Sequence, residues 1–149
     1  MKTFEQLVAE ALRDVEEIFP CDLMSELEFD GPAPLLLDVR EPAEYQAAHI
    51  EGALHVPRGV LEPASEYGFE ETEPALAEGR EEDIVVICRS GRRSALAVRT
   101  LKELGFLRVR NLKLGIRGWN DDGGPLVDHA GNAVDPDRAE VVIENPAAP

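Results

Sequence analysis

The stretch IVVICRSGRRS, residues 84–94, decides how this chain folds. Its first four residues form an unbroken apolar run of strand length, which is typical of a strand buried on both faces. The run ends at Cys88, and a short loop containing Gly91 leads into a helical pattern that begins at Ser94 and stops at Gly105. A buried strand followed by a helix is the repeating unit of a parallel α/β sheet.

The same alternation extends outward in both directions. Short apolar runs predict further strands at 18–19, 35–39, 53–56 and 109–112, and helical spacing predicts helices at 4–15, 23–27, 42–48 and 115–122. Thr3 and Gln6 match a capping box at the start of the first helix. Residues 58–82 are acidic and rich in turn formers, so we expect short helices and loop there. The fold class is therefore α/β with a mostly parallel sheet.

Composition narrows the class of protein. The 149 residues fit one domain, and the net charge of -15 disfavours binding to nucleic acid or to anionic lipid. No run approaches the roughly 20 apolar residues that cross a bilayer, and the first residues lack the pattern of a signal peptide. We therefore expect a cytoplasmic protein whose two cysteines are reduced and which has no structural zinc site.

The chemistry is concentrated at Cys88. A thiol at the carboxyl end of a buried strand lies where open α/β sheets bind ligands. The start of the next helix offers unpaired N–H groups, and Gly91 lets the loop amides curl around an anion. From Cys88 to Lys102 there are five basic residues and no acid, in a chain that is otherwise acidic. These features favour the thiolate, which is the nucleophilic form of cysteine.

The simpler interpretation is structural. A cysteine that ends an apolar strand is usually buried and inert, and clustered arginines are usually a solvated surface. Here the charged residues and the glycine follow the thiol directly, and this combination favours a reactive cysteine in an anion-binding loop.

Four stretches resemble the single-domain rhodanese family. They are Leu36–Tyr45 (LLDVREPAEY), His49–Pro57 with its HIEGA and VP motifs, the loop Cys88–Ser94 (CRSGRRS), and Gly115–Trp119 (GIRGW). They occur in the family's order and span about residues 18–128, and the loop is the most specific of them. The resemblance implies three segments: a helical extension at 1–17, a rhodanese-like domain at 18–128, and a tail at 129–149 that can add an edge strand at Val141–Ile143.

The resemblance also implies a function. The fold is a central parallel sheet with helices on both faces. Cys88 is the catalytic residue, which takes a sulfane sulfur from a donor such as thiosulfate, holds it as a persulfide and passes it to a thiol or cyanide acceptor. The substrate-binding residues are those of the loop, namely Arg89, Ser90, Gly91, Arg92, Arg93 and Ser94. The loop amides cradle the outer sulfur, and the arginines orient the anion. No cofactor or metal is expected, and a sulfur-relay protein is a candidate partner.

Loop length separates sulfur from phosphorus chemistry. Phosphatases with a catalytic cysteine use C-x-x-x-x-x-R, and that arginine would fall on Ser94 in this chain, because Arg93 is only five residues past Cys88. The loop therefore resembles the shorter rhodanese form. Two other interpretations stay open: a sulfur carrier that relays persulfide between proteins with little turnover on small molecules, and a regulatory domain without catalysis, against which the intact Cys88 argues.

The remaining polar residues are expected to have structural roles. Asp38 and Arg40 are expected to pair with each other, with Glu44 or with backbone near the site, and a supporting role for the loop is the alternative. His49 is expected to form a structural hydrogen bond. The other candidates are interpreted as follows: His55 and His129 as incidental, Trp119 as a core residue, Cys21 as inert rather than a resolving thiol, and Arg93 as exposed.

Overall fold

The computed structural model describes the whole chain, Met1–Pro149. One sheet contains the strands β1 (Glu16–Ile18), β2 (Leu35–Asp38), β3 (Leu54–His55), β4 (Asp83–Ile87) and β5 (Arg108–Leu112). Their order across the sheet is β1-β5-β4-β2-β3, and every neighbouring pair is parallel. The predicted α/β class with a parallel sheet is confirmed, and all carboxyl ends of the strands meet at one edge.

Eight α-helices connect and flank the strands. They are α1 (Phe4–Leu12), α2 (Pro20–Glu28), α3 (Pro42–Ala47), α4 (Leu61–Ala64), α5 (Pro74–Ala77), α6 (Arg92–Glu103), α7 (Gly115–Asp121) and α8 (Pro136–Glu144), with a 3₁₀ turn at Arg58–Val60. The capping box of α1 is present, since Thr3 and Gln6 exchange backbone-to-side-chain hydrogen bonds. No helix combines the length and the apolar character that a membrane span requires.

The central strand β4 is buried on both faces. The residues Ile84–Ile87 have no exposed surface, as their unbroken apolar run predicts. Ile84, Val86 and Cys88 point to the face that α4, α5 and α6 cover, whereas Val85 and Ile87 point to the face that α2, α7 and α8 cover. Helices thus pack on both faces of the sheet. Cys88 directly follows β4, on the face that α6 covers.

Two expectations are corrected. Helix α6 begins at Arg92, two residues before Ser94, because Gly91 adopts a left-handed φ of 90° and turns the chain into the helix at once. The edge strand expected at Val141–Ile143 is wrong, because this segment belongs to α8. Asp135 caps that helix and Pro136 follows at its first position. The helix buries Ala139, Val142 and Ile143, a spacing of three and four residues, while Val141 stays half exposed.

Candidate active site

Cys88 lies at the first residue after β4, with 1% of its surface exposed. Its Sγ atom accepts a hydrogen bond of 3.1 Å from the backbone N–H of Gly91 and lies 3.2 Å from the hydroxyl of Ser94. Arg92, Arg93 and Ser94 form the first turn of α6, where backbone N–H groups have no partner within the helix. The loop therefore directs one backbone N–H at the sulfur and places the Ser94 hydroxyl in contact with it.

Two carbonyl groups of this segment accept hydrogen bonds from α7. The N–H groups of Ile116 and Arg117, in the first turn of α7, donate to the carbonyl oxygens of Cys88 and Arg89 at 2.9 and 3.0 Å. Gly115 allows this approach, since a Cβ atom there would lie 2.5 Å from the Cys88 and Arg89 carbonyl groups. Its φ of 60° also disfavours other residues. The GIRGW motif is thus the segment that packs against the loop.

Asn111 is a site residue that the sequence analysis missed. It is fully buried on β5, and its amide donates to the Gly91 carbonyl oxygen at 2.9 Å and to a Glu17 carboxylate oxygen at 3.1 Å. Its Oδ1 accepts a hydrogen bond from the Ser94 hydroxyl. All of its polar atoms are used, and it holds both residues that contact the Cys88 sulfur. No local pattern indicates this role, because β5 reaches the loop only through sheet pairing.

The three loop arginines have different environments. Arg92 forms an ion pair with Glu5 of α1, and its guanidinium carbon lies 5.4 Å from the centre of the Phe4 ring. Arg93 forms two hydrogen bonds with Glu44, of 2.9 and 2.8 Å. Arg89 has no carboxylate partner, and its buried Nε has no hydrogen bond. The expectation that Arg93 is exposed is wrong, because two thirds of its side chain is covered where it pairs with Glu44.

Glu44 and Arg93 shift each other's pKa values. Burial acts to raise the pKa of Glu44, but hydrogen bonds from Arg93 and the Glu41 backbone, with the charges of Arg93 and Arg40, outweigh it, so the pKa is lowered below its ordinary value of 4.5. The hydrogen bond to Glu44 and the charge of that carboxylate raise the pKa of Arg93 despite burial. Both groups are therefore ionised at neutral pH.

Asp38 and Arg40 form a buried ion pair at the end of β2. Asp38 accepts hydrogen bonds from Nε, Nη2 and the backbone N–H of Arg40, and Nη2 also donates to the Ala48 carbonyl oxygen at 2.7 Å. Neither residue has exposed surface. Asp38 is in register with Ile87, the residue before Cys88. The expected pairing of Asp38 with Arg40 is confirmed, and the pair fixes the strand end beside the site.

An aromatic stack supports this pair. The Tyr45 ring lies between the rings of His49 and His55, with centroid distances of 3.8 and 4.4 Å. His49 hydrogen-bonds the Tyr45 carbonyl oxygen, which confirms its expected structural role. His55 is not incidental, because its Nε2 lies 2.8 Å from the Arg40 carbonyl oxygen. Burial and the nearby Asp38 charge raise the pKa of Tyr45 above its ordinary value.

Other candidates lie away from the sulfur. Trp119 is buried, with its indole N–H donating to the Pro125 carbonyl oxygen, so it is a core residue as expected. Cys21 is exposed on α2, and no disulfide joins it to Cys88. His129 is exposed on the segment after α7.

A large cavity lies away from Cys88. It has a volume of about 670 Å³ and lies at the amino ends of β1, β4 and β5. Its charged walls include two ion pairs, Glu26 with Arg110 and Asp83 with Arg108. Because ligands of parallel sheets bind at the carboxyl ends of the strands, and because a loop N–H points at the thiol there, the loop at Cys88 is the candidate site.

A five-stranded parallel sheet with a cysteine loop at the end of its central strand defines a class of α/β domain, and the comparison with known families identifies it. The family described as Rhodanese-like domain matches residues 22–122, and the chain belongs to this family. The resemblance found in the sequence is thereby confirmed.

Similar proteins have names from sulfur transfer. The Bacillus subtilis protein YrkF, named as a candidate sulfur carrier, is 45% identical over 84 residues, which cover 56% of this chain and 40% of that protein. The maize adenylyltransferase and sulfurtransferase MOCS3-2 is 34% identical over 108 residues, covering 70% of this chain and 21% of that protein. A sulfurtransferase of Allochromatium vinosum is 36% identical over 94 residues, covering 62% and 78%. The chain thus spans less than half the length of the first two relatives.

Solved structures share the fold. The polysulfide-sulfur transferase of Wolinella succinogenes, described as a homodimer, has a TM-score of 0.63 and 32% identity, covering 84% of this chain and 87% of that one. A Rhodopseudomonas palustris protein of unknown function, described as a candidate tyrosine phosphatase, has a TM-score of 0.77 and 26% identity, covering 85% and 95%.

Proposed function

We propose that this chain is a rhodanese-type sulfurtransferase that carries sulfur on Cys88. The observation that carries the proposal is the position of the Cys88 sulfur, which accepts a hydrogen bond from the Gly91 N–H and lies 3.2 Å from the Ser94 hydroxyl at the start of α6. Helix N-termini and converging amides favour negative charge, so they stabilise a thiolate or the terminal sulfur of a persulfide. The names of the relatives support sulfur transfer as the chemistry.

The proposed cycle has two displacements. The Cys88 thiolate attacks the sulfane sulfur of thiosulfate, the S–S bond of the donor breaks, and sulfite leaves with the electron pair. The product is a Cys88 persulfide whose terminal sulfur is anionic. A thiophilic acceptor then attacks that terminal sulfur, and the Cys88 thiolate leaves. With cyanide the product is thiocyanate, and no external oxidant or reductant is needed.

Burial of the thiol limits the shape of the donor. Because only 1% of Cys88 is exposed, a donor must present its terminal sulfur end-on between the loop amides. One sulfur atom is small enough for such an approach. The expected cytoplasmic location and the absence of cofactors stay part of this proposal, as do thiosulfate and cyanide as substrates.

Intact mass spectrometry tests the proposal. After incubation with thiosulfate, the wild type should gain one sulfur atom, and cyanide should remove it as thiocyanate over many cycles. Cys88→Ser should show neither event while it keeps the fold, because serine differs by one atom. Cys21→Ser is the matched control, since Cys21 is the only other cysteine and should leave transfer unchanged. Sulfur uptake that persists in Cys88→Ser would refute the mechanism.

A carrier function is the second candidate. It is favoured by the similarity to YrkF, whose name denotes a candidate sulfur carrier. A carrier would gain sulfur on Cys88 but turn over thiosulfate poorly, whereas an enzyme would release thiocyanate continuously. Hydrolysis of p-nitrophenyl phosphate that requires Cys88 would instead support a phosphatase, against which the loop length argues because Ser94 occupies the position of the phosphatase arginine.

A further inference from the structure

The positive charge of the loop is largely offset by two carboxylates from elsewhere in the chain. Arg92 pairs with Glu5 and Arg93 pairs with Glu44. Arg89 is the one loop arginine without a carboxylate partner. Of the three loop guanidinium groups, two are thus paired with a carboxylate and one is not. The sequence alone suggests a strongly cationic pocket, but the tertiary structure neutralises part of that charge.

One of the two carboxylates comes from outside the matched family region. Glu5 lies on α1, whereas the family match begins at residue 22. Helix α1 packs along α6 in the same direction, with Glu5 beside Arg92 at the start of α6 and the Asp14 carbonyl oxygen beside Lys102 near its end. Phe4 lies against the Arg92 guanidinium. The first turn of α1 is therefore placed at the Cys88 end of the molecule.

Arg92 is at the rim of the site. With Ser90, Leu114 and Arg117 it lines a cavity of about 260 Å³ beside the loop, and its Nε lies 3.5 Å from the Ser90 hydroxyl. A guanidinium at this position attracts an anionic donor only to the extent that its charge is not neutralised. The ion pair with Glu5 is half exposed, so it contributes little to folding stability and acts mainly on the local potential.

We propose that Glu5 is a specificity-determining residue that lowers the use of compact dianionic donors such as thiosulfate and thereby favours monoanionic persulfides. The inference rests on the proposed sulfur transfer. Thiosulfate has two negative charges within a few bonds, so a nearby carboxylate disfavours it about twice as strongly as a monoanion. The N-terminal helix, which the family resemblance leaves without a role, would thus set donor preference.

Transfer from a persulfide is also a displacement in which all atoms and electrons balance. The Cys88 thiolate attacks the terminal sulfur of the donor persulfide, the S–S bond of the donor breaks, and the donor thiolate leaves with the electron pair. The terminal sulfur becomes the outer atom of the Cys88 persulfide. The reacting sulfur of such a donor carries one negative charge, and Arg89 is the one loop guanidinium without a carboxylate partner.

Donor kinetics test the proposal. Glu5→Gln should raise kcat/KM for thiosulfate about three- to tenfold, mainly through a lower KM, and should raise the value for cysteine persulfide only about two- to threefold. The gain should shrink in high salt and in an Arg92→Gln background. Glu10→Gln is the matched control, because it removes the same charge from the same helix, its carboxylate binds Lys2, and it lies roughly 7.5 Å farther along the helix. Glu10→Gln should resemble the wild type.

Protection by sulfate gives a readout that does not need turnover. Sulfate is a compact dianion, and it should slow the alkylation of Cys88 by iodoacetamide at lower concentration in Glu5→Gln than in the wild type. Equal gains for both donors, or a gain shared by Glu10→Gln, would overturn the assignment to Glu5. If no donor loads Cys88 but sulfate protection still tightens in Glu5→Gln, the proposed function fails while the electrostatic role of Glu5 stands. If sulfate protection is also unchanged, both fail.

Discussion

The side-chain amide of Asn111 donates a hydrogen bond of 2.9 Å to the carbonyl oxygen of Gly91. The N–H of the same glycine donates to the Cys88 sulfur at 3.1 Å. One residue of β5 therefore holds the glycine whose N–H contacts the thiol at the end of β4. The Ser94 hydroxyl, which is bound to Asn111 and lies 3.2 Å from the sulfur, connects the two a second time.

Replacement of Asn111 should reduce sulfur uptake. Asn111→Leu keeps the side-chain size but leaves the Gly91 carbonyl oxygen without its partner, so we expect a loss of about 1–3 kcal/mol in the free energy of unfolding and a slower gain of sulfur on Cys88. Asn120→Leu, whose amide bonds the Pro136 carbonyl oxygen near the surface, is the control and should keep the wild-type rate.

Coupling with Ser94 distinguishes positioning from simple destabilisation. If Asn111 acts partly through the Ser94 hydroxyl, Ser94→Ala should slow sulfur uptake less in the Asn111→Leu background than in the wild type. Contacting residues typically give interaction energies of about 0.5–3 kcal/mol in such a cycle. Strictly additive effects on the rate of persulfide formation would contradict a positioning role.

Gly115→Ala should disrupt the loop that follows Cys88, because Gly115 packs against its carbonyl groups. Its methyl group would lie 2.5 Å from the Cys88 and Arg89 carbonyl groups, so α7 must move away and release the hydrogen bonds from Ile116 and Arg117. We expect a lower melting temperature together with loss of sulfur uptake. Gly123→Ala is the control, because it has a similar left-handed φ of 82° but no atom within 4 Å of the added carbon. Its backbone strain alone should leave sulfur uptake intact.

Breaking the pair of Asp38 and Arg40 should be strongly destabilising. Asp38→Leu leaves the Arg40 guanidinium buried without a counter-charge, and such a change typically costs about 3–5 kcal/mol. Urea denaturation followed by circular dichroism would measure it. The double variant Asp38→Leu/Arg40→Met removes both charges and should recover part of the loss. A double variant less stable than Asp38→Leu would contradict this account.

The pair of Glu44 and Arg93 should make stability depend on pH in the acid range. Because the folded state lowers the pKa of Glu44 below 4.5, the unfolded chain binds the proton more tightly. The contribution of the pair is therefore fully present above about pH 5 and is lost as the pH falls through the folded-state pKa. Glu44→Gln should cost about 1 kcal/mol at pH 7, and its deficit should shrink toward pH 3.

Chemical denaturation between pH 3 and pH 7 would measure this dependence. Glu51→Gln is the control, since Glu51 is exposed and forms no ion pair, and its stability profile should follow the wild type. A deficit in Glu44→Gln that stays constant across this range would mean that the carboxylate charge does not contribute.

The fold class and the candidate nucleophile can both be predicted from the sequence. The apolar run Ile84–Ile87 has the length and the β-branched residues of a strand buried on both faces, and Gly91 marks the turn that follows the thiol. These are local features, because a strand period, a cap or a tight turn depends on residues that are close in the chain. The capping box of α1 is also a local feature. So is the pairing of Asp38 with Arg40, which are two residues apart.

Which distant residues reach the loop follows from the packing of strands and helices and cannot be read from the sequence. Asn111 comes to Gly91 because β5 pairs with β4, and Glu5 comes to Arg92 because α1 packs along α6. The nature of α8 also depends on tertiary packing. Its apolar run has the length of a strand, but it buries a helical face against the sheet. Contacts between segments that are far apart in sequence leave no local pattern. The charge around Cys88 is therefore set by packing, which brings acidic partners to arginines that the sequence presents as free.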